Sequence, residues 1–178
     1  MRLSDVLDNS AARDPRARAL SSGDRWVTYG ELCAERDRIA AALAPLRAGV
    51  LAARADDHPP RVAVLCDNGA FAVAALFAVS RAGCAAVPLP TDLRGDRLRE
   101  MLRHCEASGV IVSDAMFGHL VEVAGTLPQL RVIVAESPHE QIVELVAPPV
   151  ADSSDSLALI AYTSGSTERP KGVMLSHD

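Results

Sequence analysis

Residues 61–90 read RVAVLCDNGAFAVAALFAVSRAGCAAVPLP. From Arg61 to Cys66 the run is apolar without alternation, the pattern of a strand buried on both faces. Asp67-Asn68-Gly69 can turn the chain and cap a helix, and the spacing predicts that helix from Ala70 to about Ala82. It is apolar nearly all round, so it should pack against a sheet and not face water. Gly83 is positioned to end it, and Cys84–Leu89 returns as a second buried strand. A strand, a helix and a strand in this order predict a parallel β-α-β unit with a right-handed crossover.

The same alternation continues downstream. Arg97–Ala107 reads as a helix, Val110–Val112 as a strand, Ala115–Ala124 as a helix and Arg131–Ala135 as a strand. Residues 136–156 are rich in Pro, Ser and acids and read as a loop or linker, after which Leu157–Tyr162 (LALIAY) is one more buried strand. Upstream, Leu3–Arg13 has helical spacing, and Ala17–Ser21 with Arg25–Val27 around a Gly23-Asp24 turn predicts a short hairpin. Thr28 and Glu31 form a capping box for a helix running to about Leu43 and ending near Pro45. Ala44–Pro60 then reads as a loop. The fold class is therefore α/β, built of β-α-β units on a mostly parallel sheet, in one domain across 1–178. There is no internal repeat.

Composition narrows the function classes. Apolar residues make up 49% and aromatics 3%, so the core must be built from Ala, Val and Leu. The net charge of −5 argues against a nucleic-acid surface. Arg94, Arg97, Arg99 and Arg103 crowd together, but Asp96 and Glu100 are interleaved, which reads as a solvated helix face. The apolar run Ala70–Val79 falls well short of a membrane span, and the N-terminus has no stretch long enough for a signal peptide. Cys33, Cys66, Cys84 and Cys105 form no C-x-x-C pair, so free thiols in a reducing cytoplasm are expected and a metal site is not.

The chemistry concentrates near the end of the chain, in TSGST (Thr163–Thr167) directly after the last buried strand. In an open α/β sheet, ligands sit beyond the carboxyl ends of the strands. Small residues let backbone amides approach an anion, hydroxyls add donors, and Lys171 can meet a polyphosphate. A polar surface turn is the alternative reading of the same residues. A Walker A site fails, because Pro170 stands where its second glycine should be, Gly172 follows Lys171, and Val173-Met174-Leu175 continues as a strand.

YTSGSTERPKGVMLSH (Tyr162–His177) resembles the signature phosphate loop of the adenylate-forming superfamily: acyl-CoA synthetases, luciferases and the adenylation domains of peptide synthetases. VTYGEL (Val27–Leu32) and FAVSRAGCAAVPLP (Phe77–Pro90) are similar to two weaker blocks of that family, in the right order. The resemblance implies the first subdomain of the family's large N-terminal domain. It implies activation of a carboxylic acid with ATP and Mg²⁺ to an acyl-adenylate, followed by transfer to a thiol. The acceptor is coenzyme A in the first reading, an acyl-CoA synthetase of fatty or other small acids. In the second it is the carrier-protein arm of a peptide synthetase. The implied phosphate-holding residues are Thr163, Ser164, Gly165, Ser166, Thr167 and Lys171; no catalytic residue and no metal ligand is assigned.

Glu168 stands where the family has glycine. If that position needs positive φ, glutamate adds strain on the order of 1 kcal/mol. A carboxylate about 5 Å from a phosphate charge at an effective dielectric near 20 adds roughly 3 kcal/mol of repulsion. The family's remaining machinery lies downstream of the motif, and this chain ends at Asp178. Weak ATP binding, no independent turnover and self-association through an exposed strand edge are therefore expected. A degenerate, non-catalytic relative serving as an interaction module is the alternative. His177, His58, His104, His119 and His139 receive no role.

Overall fold

Residues 2–49, 59–137, 157–163 and 171–176 of the chain are described by a computed structural model. In order, the elements are α1 (Leu3–Arg13), β1 (Arg18–Ser22), β2 (Arg25–Thr28), α2 (Tyr29–Ala42), α3 (Ala44–Gly49), β3 (Arg61–Leu65) and α4 (Ala70–Arg81). They continue as β4 (Ala85–Pro88), α5 (Gly95–His104), β5 (Gly109–Val112), α6 (Asp114–Ala124), β6 (Val132–Ala135), β7 (Leu157–Thr163) and β8 (Lys171–Ser176).

Six strands form one sheet in the order β6-β5-β3-β4-β7-β8, parallel throughout except for β8, which runs antiparallel to β7. Period-two alternation sends successive side chains to opposite faces. Val62, Val64, Ala86, Ile111 and Val132 pack under α2 and α4, whereas Ala63, Leu65, Val87, Val110 and Ile133 pack under α5 and α6. Strands β3 to β6 are thus covered on both sides, which is why they read as unbroken apolar runs. The core is drawn mainly from Leu, Val and Ala, as the scarcity of aromatics requires.

Local signals placed several elements. Thr28 caps α2, its hydroxyl accepting from the Glu31 amide at 3.2 Å while the Glu31 carboxylate accepts from the Thr28 amide at 2.8 Å. Arg25 donates to the same carboxylate at 3.0 Å, and these bonds, the Thr28 amide foremost, hold its pKa below the usual carboxylate value. Gly83 has φ +69 after α4, and Gly23 has φ +61 in the β1–β2 turn, conformations glycine enters freely.

Other expectations need correction. Ala44–Gly49 is a helix, α3, and not the start of a loop. Pro45 sits in its first turn, where the missing amide hydrogen is not needed, and fully buried Leu46 anchors it in the core. Residues 50–58 and the expected linker from 138 to 156 lie outside the described residues. The amino end of α4 is not capped by Asp67 or Asn68. Ser22 of the hairpin receives the Ala70 amide at 3.2 Å, and Asp67 instead accepts from the Ser113 hydroxyl at 3.0 Å. Helix α5 stops at His104, three residues before the expected Ala107, because Glu106 takes φ +52 and cannot extend the helical ladder.

One ionic cluster had no sequence signal. Arg36 of α2, whose side chain is 3% exposed, pairs with Asp8 of α1 and with Asp37. Arg81 of α4 closes the ring, 3.2 Å from Asp8 and 3.0 Å from Asp37. Burial opposes the Arg36 charge, but the hydrogen bonds to Asp37 and Asp8 prevail and leave its pKa raised. This cluster, with the Ser4 amide donating to the Ser80 hydroxyl at 3.2 Å, fastens α1 to the helical layer.

Among the described residues no helix is long and apolar enough to cross a membrane, and no group of three or more His, Cys, Asp or Glu could hold a metal ion. The four cysteines are free thiols, Cys84 and Cys105 buried and Cys33 and Cys66 partly so. Burial pushes the Cys66 thiol up to about 12 and the Cys105 thiol up to about 11, the reverse of a reactive thiolate. The arginine-rich helix α5 is solvated as expected, with Arg99 paired to Asp96 at 2.6 Å while Leu98 and Leu102 face the core.

Candidate functional site: the end of the β7–β8 hairpin

The parallel register of β3, β4, β5 and β7 puts their carboxyl ends on one side of the sheet, and Thr163 closes β7 on that side. Lys171 opens β8 directly opposite Thr163, and Gly172 lies opposite Tyr162. In an antiparallel pair such partners have Cα atoms about 4.5–5.5 Å apart. The two ends of the glycine- and hydroxyl-rich segment are therefore held side by side beyond the sheet. Thr163 and Lys171 are thus brought together by backbone register. Ser164, Gly165, Ser166 and Thr167 lie outside the described residues, as do Glu168, Arg169, Pro170 and His177.

The base of this hairpin is anchored by apolar packing. Leu157 and Ile160 are 7% and 5% exposed, inside the core that α5 and α6 cover. Tyr162 is half-buried on the same side, and its hydroxyl lies 2.9 Å from Nδ1 of His104, the last residue of α5. The two rings meet edge to face, 5.7 Å between centroids. Burial first, then the nearby Cys105 thiol, pushes the Tyr162 phenol up to about 12, so it remains protonated at neutral pH. Sequence reading missed both residues. Tyr162 was visible within the motif, whereas nothing local marks His104, 58 positions away.

A second feature shares this side of the sheet. A cavity of about 880 Å³ opens beyond β3 and β5, where the strand order reverses, lined by Arg25, Arg38, Asp67, Gly69, Ser113 and Asp114 among others. The reversal point of an open sheet is the usual ligand crevice. Here both arginines are paired, Arg25 with Glu31 at 3.0 Å and Arg38 with Glu35 at 2.6 Å, while the Asp114 carboxylate accepts from the Ser137 amide at 3.0 Å. The cavity is thus braced by its own ion pairs, two strands away from the glycine- and hydroxyl-rich segment.

Comparison with known proteins gives consistent findings. The family model described as AMP-binding enzyme matches residues 7–178. Phosphinothricin tripeptide synthetase PhsC of Streptomyces viridochromogenes is 33% identical over 180 aligned positions, which cover 98% of this chain and 15% of the synthetase. Surfactin synthase subunit 2 of Bacillus subtilis is 32% identical over 179 positions, covering 99% of this chain and 5% of the subunit. Among solved structures, the anthranilate CoA ligase AuaEII in complex with anthranoyl-AMP superposes with a TM-score of 0.77 at 24% identity, over 99% of this chain and 35% of the ligase. The chain spans a small part of each curated relative and about a third of the solved ligase, whose likeness establishes the α/β fold with its mostly parallel sheet. The family match extends through the β7–β8 hairpin and on to the last residue, and so the chain belongs to the AMP-binding enzyme family.

Proposed function

We propose that residues 1–178 are the first part of the large domain of an ATP-dependent ligase that activates a carboxylic acid. In that reaction a carboxylate oxygen attacks the α-phosphorus of ATP, the bond between the α-phosphorus and the bridging oxygen breaks, and pyrophosphate leaves. A thiol sulfur then attacks the acyl carbon, AMP departs, and the thiol proton passes to solvent. The observation that carries this reading is the placement of Thr163 opposite Lys171 at the carboxyl side of the sheet, within a family match that includes the whole hairpin.

In this reading Ser164, Gly165, Ser166 and Thr167 present amides and hydroxyls to the β- and γ-phosphates, Thr163 and Lys171 flank them, and Lys171 offsets the charge of the leaving pyrophosphate. Such donors suit a polyphosphate. Mg²⁺ would enter with the nucleotide, as the usual counter-ion of its phosphates. In this reading the Glu168 carboxylate opposes the nucleotide, so ATP is held weakly.

Two acceptors divide the reading. An acyl-CoA synthetase acting on fatty or other small acids is supported by the solved CoA ligase with which the chain superposes. The adenylation domain of a peptide synthetase, loading an amino acid onto a carrier thiol, is supported by the higher identity of the synthetases, 33% and 32% against 24%. Free, unreactive thiols accord with a reducing cytoplasmic setting. Val173, Met174 and Leu175 are each close to half exposed on β8, at the sheet edge among the described residues, which supports pairing with a second copy. The test is pyrophosphate release with panels of fatty, aromatic and amino acids, alongside size-exclusion chromatography. The 178-residue chain should show no turnover and should elute above its monomer mass. Release of pyrophosphate by the chain itself would overturn the expectation of inactivity, and a stable monomer would overturn self-association.

A further inference from the structure

Strand β4 ends at Pro88, two residues after Ala86, and Ala86 is the residue aligned with Leu159 of β7. In parallel register Ala161 therefore aligns with Pro88, and Tyr162 and Thr163 run past the end of the neighbouring strand. On the other flank β8 is the outermost strand among the described residues. Among the described residues of one copy, the hairpin end carrying Thr163 and Lys171 thus projects from the sheet with no third strand beside it. A side-chain tie to the body of the protein, among the described residues, is the Tyr162 hydroxyl, 2.9 Å from His104 Nδ1, with the two rings edge to face. Either tautomer of the His104 ring supports this bond: a bare Nδ1 can accept from the phenol, and an Nδ1–H can donate to its oxygen.

We propose that His104 is a positioning residue: through Tyr162 it fixes the projecting end of the β7–β8 hairpin, and with it the placement of Thr163 and Lys171 around a bound phosphate chain. The role rests on the nucleotide reading above, but the tether can be tested separately. Because His104 is exposed, its bond lies at the weak end for hydrogen bonds, and losing it should be worth about threefold in affinity.

The experiment compares wild-type, Tyr162→Phe, His104→Ala and His104→Gln in the full 178-residue chain. Amide hydrogen exchange of β7 and β8 is measured together with Mg·ATP affinity by calorimetry. Phe keeps the ring packing and removes the hydroxyl; Gln keeps a hydrogen-bonding head near the phenol. The proposal predicts that Tyr162→Phe and His104→Ala accelerate exchange in β7 and β8 about threefold and weaken ATP by a similar factor, with exchange in β3 and β5 unchanged. His104→Gln should restore most of both. Unaltered exchange and affinity in Tyr162→Phe and His104→Ala would overturn the tether. A wild-type chain that takes up no ATP would defeat the nucleotide reading and the positioning role together, while the exchange data would still show whether the tether itself exists.

Discussion

Arg36 offers a prediction in which two variants of one ion pair should behave very differently. Its guanidinium is 3% exposed and bonds Asp8 and Asp37, which are themselves 41% and 50% exposed and both also paired to Arg81. Replacing Arg36 by Met removes the buried charge and fills the space with an apolar side chain. The two aspartates keep Arg81 and water, so the loss should be about 0–1 kcal/mol, as when a buried pair gives way to apolar packing. Replacing Asp8 by Ala leaves the buried guanidinium with Asp37 alone of its two partners and also removes a partner of Arg81. Breaking a buried pair from one side costs about 3–5 kcal/mol. The retained Asp37 bond brings the expectation for Asp8→Ala down to about 2–3 kcal/mol. Urea unfolding followed by circular dichroism measures both, with the slope m required to stay constant so that midpoints report stability. Arg36→Met costing as much as Asp8→Ala, or more, would show that burial of this charge is not what makes the cluster asymmetric.

Two further outcomes test the packing and the thiols. A Cβ at Gly109 would lie 2.7 Å from Leu46 Cδ1, so Gly109→Ala should cost about 1–3 kcal/mol and Leu46→Ala about 2–5 kcal/mol. The double variant should lose at least about 1 kcal/mol less than their sum in denaturant unfolding; simple additivity would contradict packing of α3 on β5. Cys66 and Cys105 have folded pKa values pushed above the ordinary 9.0, to about 12 and about 11. Above pH 9 the unfolded chain therefore releases protons that the folded chain keeps. Their contribution is complete below that pH and is lost as pH rises toward the folded values, by at most about 1.4 kcal/mol per pH unit per thiol. Urea midpoints should fall from pH 9 to 10.5, and Cys66→Ala/Cys105→Ala should flatten the decline; an equally steep decline in that variant would assign it to other groups.

What could be read in the sequence was what short-range chemistry dictates. The Thr28–Glu31 box spans three residues, Gly83 adjoins the helix it ends, and apolar runs such as Val110–Val112 declare a doubly covered sheet directly. Features joined across the chain were invisible. Ser22 replaces the expected cap of α4 from 48 residues away, Arg36 finds Asp8 across 28, and His104 meets Tyr162 across 58. Pro45 was misleading because proline marks a helix end and suits a helix start equally well, and burial of Leu46 decided between them. For the candidate site, the order of residues suggested the chemistry of the glycine- and hydroxyl-rich segment, while the pairing of Thr163 with Lys171 and the projection of the hairpin became apparent with the strand register.

The most direct measurement is calorimetric titration of Mg·ATP into wild-type chain, Glu168→Gly and the double variant Glu168→Gly/Lys171→Ala. Relieving the Glu168 repulsion, worth roughly 3 kcal/mol at about 5 Å, should tighten binding at least tenfold. Loss of the Lys171 charge should weaken the Glu168→Gly background at least tenfold, as for a charge-assisted hydrogen bond of about 1.5–3 kcal/mol. Affinities that stay the same across all three proteins would mean that this hairpin does not hold the triphosphate.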